Sequence, residues 1–156
     1  MAVETHAARL DAALAAALVP RYDLVLDGSD NFATRYAVNA ACVAAGRPLV
    51  AAAMSRWEGQ VGVFDPGSGG PCYACVFPEP PADGLVPACA AAGIVGALAG
   101  VMGSMMAVEA VKLVTGAGTP LRGALLLYDA LDGEVRRIRA APRPGCRVCG
   151  GRGAAG

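Results

Sequence analysis

The apolar residues of this chain fall in short unbroken runs divided by turn-forming residues. Unbroken runs predict strands buried on both faces, whereas half-exposed strands alternate. Tyr22-Asp23-Leu24-Val25-Leu26-Asp27 is one such run, and Gly28-Ser29-Asp30-Asn31 breaks it. Phe32 to Ala45 predicts a helix, stopped by Gly46 with Pro48 just beyond. Leu49 to Met54 and Gln60 to Phe64 predict two further strands, and Asp65 to Gly70 a loop. Upstream, Val3 to Leu10 reads as a strand and Asp11 to Val19 as a short alanine-rich helix ended by Pro20. Pro71 to Pro87 carries five prolines and little periodicity, so an irregular crossover loop is expected. Gly93 to Val114 predicts a long helix closed by Gly116. Gly123 to Asp129 and Glu134 to Arg139 predict strands of a hairpin turning at Leu131-Asp132-Gly133. From Ala140 to Gly156 the chain is rich in Pro, Gly and Arg, and only its cysteine knuckle is expected to be ordered.

Strand, helix, strand in the first half is a parallel α/β unit, and the late hairpin adds antiparallel strands. The expected fold is therefore α/β with a mixed sheet. Ligands of such sheets sit at the carboxyl ends of the strands, which directs attention to Asp27–Asn31.

Composition narrows the function classes. Charged residues make up 17% of the 156 residues, below the roughly 25% usual for soluble domains, so a partner is expected to cover part of the surface. With 13 basic against 13 acidic residues and no basic run, nucleic-acid binding has no electrostatic footprint. Ala88 to Val108 carries no charge and is long enough to span a bilayer. Interspersed glycines, Glu109 and Lys112 just beyond, and the lack of aromatic belts favour a buried helix of a soluble protein instead. Met102, Met105 and Met106 would be core packing there, and Gly96-x-x-x-Gly100 would admit another element closely. Met1 to Arg9 does not resemble a secretory leader, so the expected compartment is the cytoplasm.

In a reducing compartment, paired cysteines point to metal or redox chemistry rather than disulfides. Cys72-x-x-Cys75 and Cys146-x-x-Cys149, about seventy residues apart, supply four thiolates, enough for a closed structural zinc site. Dithiol redox chemistry is the alternative, although neither pair opens a helix directly after a strand. Cys89 precedes the long helix and could be a nucleophile, while a small buried apolar role is the commoner fate of a free cysteine. Cys42, mid-helix, reads as buried. Asp30, at the strand end and helix start, could hold Mg²⁺ beside bound phosphates, or Asp30 or Ser29 could simply cap the helix. Arg35, one turn in, could reach a phosphate or lie solvated on the surface. His6 has no partner motif and is expected to be exposed.

In order along the chain, these segments resemble the MoeB/ThiF/HesA family of ubiquitin-activating-type adenylyltransferases. The matching text is Asp23–Asn31 with Arg35 and Asn39, Glu58-Gly59-Gln60, Pro71–Cys75, Cys89–Gly93, Gly103-Ser104 through Lys112, Tyr128-Asp129-Ala130, and Cys146–Gly150. The resemblance implies a partial Rossmann-like fold that uses ATP to activate the C-terminal glycine of a ubiquitin-like sulfur-carrier protein. It implies Asp30 as the essential aspartate serving Mg-ATP, flanked at the nucleotide by Ser29 and Asn31. It implies Zn²⁺ on Cys72, Cys75, Cys146 and Cys149, and sulfur transfer through Cys89 in some members. A homodimer is implied for the complete enzyme.

The family's Gly-rich nucleotide loop, acidic ribose ligand and phosphate-gripping basic residues have no counterpart here. Residues 1–150 are therefore expected to be the C-terminal part of such a domain, with 151–156 a disordered tail, and the chain alone is expected to be inactive. The rival expectations are a non-catalytic zinc-stabilised carrier-binding module, half of a split enzyme, and a dithiol redox protein.

Overall fold

The computed structural model describes residues 2–81 and 93–151. The first helix, α1 (Ala12–Leu18), starts at Asp11, whose carboxylate accepts the Leu14 N–H, and runs into a 3₁₀ turn at Val19–Arg21. Next come β1 (Val25–Asp27), α2 (Phe32–Ala45), β2 (Leu49–Ser55) and β3 (Glu58–Phe64). A single helical turn, α3 (Tyr73–Val76), carries the first cysteine pair. The long helix α4 (Gly96–Thr115) then precedes the hairpin of β4 (Ala124–Asp129) and β5 (Glu134–Arg139).

The five strands form one sheet in the order β1-β2-β3-β4-β5. Only β1 and β2 run parallel, and every later pairing is antiparallel. The mixed sheet is as expected, but its antiparallel part begins earlier than the late hairpin. The cause is the two-residue link Arg56-Trp57 between Ser55 and Glu58, because so short a connection can join only antiparallel neighbours. Arg56 is the one non-glycine with positive φ among the described residues.

Both faces of the sheet are covered along β2 and β3, as their unbroken apolar runs require, whereas the run Tyr22–Asp27 yields only the short strand β1 with Leu26 exposed, and β5 at the sheet edge is exposed throughout. Along β2, Leu49 and Ala51 point towards α1 and α2, where Ala15, Val19, Val38, Cys42, Phe64 and Tyr73 complete one core. Val50 and Ala52 point the opposite way, to Val61, Val63, Leu98, Met102 and Met106 under α4. Gly59 of β3 is what lets α4 settle. A Cβ there would lie 2.3 Å from the Met102 sulfur, and Met102 is fully buried. Helix α2 ends at Gly46, which takes the left-handed conformation at φ 65° that a side chain would resist.

Three further sequence expectations change. Residues 3–10 form no strand, since Glu4, His6 and Arg9 are exposed and Glu4 instead pairs with His6 and Arg21. The crossover segment includes the turn α3, which the prolines of its neighbourhood concealed. The long helix is buried only along the stripe Leu98, Met102, Met106 and Glu109, one side of a helix laid on a sheet. Its opposite face leaves Val101, Val108, Val111 and Val114 exposed. At 20 residues and mean hydropathy 1.6, α4 is the one described helix long and apolar enough to cross a membrane. Its inward stripe nevertheless ends in a carboxylate: Glu109 accepts from Lys112 Nζ and from the Leu121 N–H at 2.8 Å, fastening the helix to the segment that leads into β4.

Candidate metal centre and the β1–α2 loop

Two sets of polar side chains stand out, joined by one face of α2. The first is the cysteine cluster. Each C-x-x-C pair is a tight turn closed by backbone bonds, Cys75 N–H to Cys72 O at 3.0 Å and Gly150 N–H to Cys146 O at 2.8 Å. The turns face each other, so that the sulfurs interleave: Cys72 to Cys75 is 3.8 Å, Cys72 to Cys146 is 3.7 Å, and Cys75 to Cys149 is 3.4 Å. All four sulfurs lie within 4.8 Å of one another, and all four residues are buried.

Four thiolates at ~2.3 Å from a tetrahedral ion would be about 3.8 Å apart, so the cluster fits such an ion with little adjustment. No disulfide joins the described cysteines. The cross-pair contacts and deep burial suit shared metal ligation better than a dithiol that must meet a redox partner. Burial pushes the Cys72 and Cys75 thiols up, with the neighbouring Cys75 adding to the effect at Cys72. At Cys146 burial also pushes upward, but the N–H groups of Cys149 and Val148 and the thiols of Cys75 and Cys72 outweigh it and bring the group down to about 6. A cation bound among the four sulfurs would displace their protons.

The second set is the loop between β1 and α2. Asn31 caps the helix, its Oδ1 accepting the Thr34 N–H at 2.8 Å. Neither Asp30 nor Ser29 caps it. The cap thus falls one residue later than either candidate, and it leaves the Asp30 carboxylate exposed and without a hydrogen bond or ion pair among the described residues.

The residue before Asp30 is clamped from two directions. Asp27 Oδ1 accepts the Ser29 N–H at 2.8 Å, and Arg35 Nη2 donates to the Ser29 carbonyl. Arg35 Nη1 donates to the Ala52 carbonyl at 2.9 Å, one residue beyond the last β1–β2 pair. With 7% of its surface exposed, Arg35 is neither a solvated surface arginine nor an open one. Asp27 Oδ2 and Ser29 Oγ are buried without a partner.

A groove of about 730 Å³ lies away from both sets, between α4 (Gly100, Val101, Met105, Val108) and the sheet (Val61, Leu126). It is open and apolar. No other element of the described chain approaches Gly96 or Gly100. Cys89 lies outside the described residues. Cys42 is buried as expected, and burial, with Asp27 nearby, pushes its thiol up to about 12.

Asn39, which the sequence offered only as part of the family's matching text and without a role, lies beside the cluster. It is 1% exposed, accepts the Tyr73 N–H on Oδ1 at 2.8 Å, and points Nδ2 at the Cys72 sulfur at 3.9 Å. The available signal was a pair of polar residues, Arg35 and Asn39, one turn apart on the face of α2 that also bears Val38 and Cys42.

These features define an α/β protein with an exposed, unpartnered aspartate at the start of α2 and a buried four-cysteine cluster beside that helix. The chain belongs to the ThiF family, whose model matches residues 1–148. It is 50% identical over 152 residues to a sulfur carrier protein adenylyltransferase of Thermus thermophilus, covering 95% of this chain and 56% of that protein. It is 51% identical over 148 residues to the adenylyltransferase and sulfurtransferase MOCS3 of Sus scrofa, covering 94% of this chain and 32% of that protein. Among solved structures, the microcin C7 biosynthetic enzyme MccB superposes with a TM-score of 0.68 at 20% identity, over 82% of this chain and 41% of that one. That likeness supports the fold alone.

Proposed function

We propose that this chain is the C-terminal part of an ATP-dependent adenylyltransferase that activates the C-terminal glycine of a ubiquitin-like sulfur-carrier protein. The observation that carries the reading is the match to the Thermus relative at 50% identity, joined to an aspartate left free at the start of α2. In the reaction, a carboxylate oxygen of the carrier's terminal glycine attacks the α-phosphorus of ATP. The bond from that phosphorus to the bridging oxygen breaks, giving acyl-adenylate and pyrophosphate. Positioning and charge neutralisation would dominate such catalysis.

Asp30 is assigned to the metal of Mg-ATP, which would offset phosphate charge. Ser29 and Asn31 flank it at the nucleotide. Arg35 belongs to the site through the Ser29 carbonyl that it holds. Cys72, Cys75, Cys146 and Cys149 are assigned to one Zn²⁺, which would be structural, pinning the segment after β5 against α2 and α3. Cys89 is kept as a candidate for sulfur transfer. The chain spans 56% of the Thermus relative, so the contacts needed to grip ATP are expected to be completed by residues beyond this sequence, in the same polypeptide or another. The exposed valines of α4 support a homodimer or another covering partner, and the cytoplasm is the proposed compartment.

The open apolar groove favours one other reading, a zinc-stabilised module that binds a carrier without catalysis. Pyrophosphate exchange separates the two. We expect the 156-residue chain alone to be inactive, and carrier-dependent exchange to appear when the N-terminal part of the Thermus relative is supplied. It should disappear in Asp30→Ala. Undiminished exchange in that variant would remove Asp30 from the reaction, and no exchange with the completed wild-type sequence would leave the binding module.

A further inference from the structure

We propose that Asn39 is the outer ligand of the four-cysteine metal centre and that, with Arg35, it ties the position of that centre to the loop carrying Asp30. The proposal rests on the reading that the four cysteines hold a metal.

A primary amide buried to 1% exposure is tolerated only when both its ends are bonded. At Asn39 the Tyr73 N–H requires an acceptor and so fixes which end is oxygen. The NH₂ group is thereby aimed at the Cys72 sulfur. That sulfur also touches those of Cys75 and Cys146, so Asn39 meets the cluster at a sulfur that links the two cysteine pairs.

A tetrahedral Zn²⁺ with four thiolates carries net negative charge, and a neutral N–H donor to one sulfur disperses it without competing for the metal. Outer-shell donors of this kind orient ligands and tune affinity.

One turn before Asn39 on the same face of α2, Arg35 holds the Ala52 and Ser29 carbonyls. The Tyr73 side chain, between the first two cysteines in sequence, lies against that guanidinium. Thus the amide and side chain of Tyr73 engage Asn39 and Arg35, and Arg35 engages the residue before Asp30. Displacing the knuckle would move Tyr73 and disturb both helix residues together.

The test uses the full chain loaded with Zn²⁺ or Co²⁺. Asn39→Asp preserves the shape and the acceptor for Tyr73 but sets an anionic oxygen against the thiolate, and Asn39→Ala removes both contacts. Chelator competition should show metal affinity roughly 10–100-fold weaker in each, with Asp the worse. In the wild type, adding metal should shift the Asn39 side-chain amide resonance and slow hydrogen exchange at Ser29 to Thr34. The wild-type measurement needs no variant to fold. Affinities within about twofold of wild type in both variants, or an Asn39 amide indifferent to metal, would overturn the proposal. Absence of thiolate-to-cobalt absorption in the wild type would instead overturn the metal centre itself.

Discussion

Replacing Arg35 with Ala should be among the most damaging single changes outside the cysteine cluster. The guanidinium supplies the hydrogen bond to the Ala52 carbonyl where the parallel β1–β2 ladder stops, and it holds the Ser29 carbonyl as well. An orphaned buried acceptor costs about 1–3 kcal/mol. The Ala52 carbonyl is fully enclosed and loses most of that, whereas Ser29 is half-buried and can recruit water. The expected loss is therefore about 2–4 kcal/mol, a large share of the roughly 5–15 kcal/mol of a typical domain. With a urea m-value of ~2 kcal/mol/M, the midpoint should fall by about 1–2 M. Arg35→Lys should recover only part, because one ammonium cannot serve two diverging carbonyls as a planar fork does. Urea unfolding followed by circular dichroism measures both variants. A loss under about 0.5 kcal/mol for Arg35→Ala, the range of an ordinary surface change, would refute the idea that this side chain braces the loop.

Gly59→Ala should cost about 1–3 kcal/mol through overpacking against the buried Met102, read as a lowered thermal midpoint, and a truncating Met102→Ala partner change should relieve the clash specifically. The Cys42 thiol, raised from 9.0 to about 12, stays neutral in the fold while the unfolded chain ionises. Its contribution is therefore intact below pH 9.0 and lost between 9.0 and about 12, by up to roughly 4 kcal/mol, and Cys42→Ala should remove that alkaline loss from the stability profile. Bound metal should be released as pH falls below neutral, because the raised thiols of Cys72 and Cys75 take protons readily, and metal analysis after dialysis across a pH series measures it.

Much of the frame was legible because its signals are local. Gly46 and Gly116 stop their helices as read, and the unbroken run of β2 is buried on both faces as such runs imply. Two C-x-x-C turns far apart in sequence announced four thiols, and the fold brings them together. Long-range choices were harder to read. The antiparallel turn at Arg56-Trp57 lacks the Asn-Gly or Asp-Gly signature of a hairpin, so the reversal of β3 was hidden. The residues 3–10 have strand-like composition but no neighbour to pair with. Asn39 looks like an ordinary polar position, and Arg35 like a phosphate ligand or a solvated arginine, until the Cys72 sulfur and the Ser29 carbonyl are seen beside them. The exposed side of α4 could not be told from its buried side by hydropathy, since both are apolar.

The most direct test of the adenylyltransferase reading is the intact mass of a purified sulfur-carrier protein after incubation with Mg-ATP and pyrophosphatase. The enzyme would be this chain completed by the N-terminal part of the Thermus relative. We expect the carrier to gain the mass of one adenylyl group (AMP less water) on its C-terminal glycine with the wild-type sequence, and no gain with Asp30→Ala. A carrier that gains no AMP with the wild-type sequence, or gains as much with the Asp30 variant, would contradict the account.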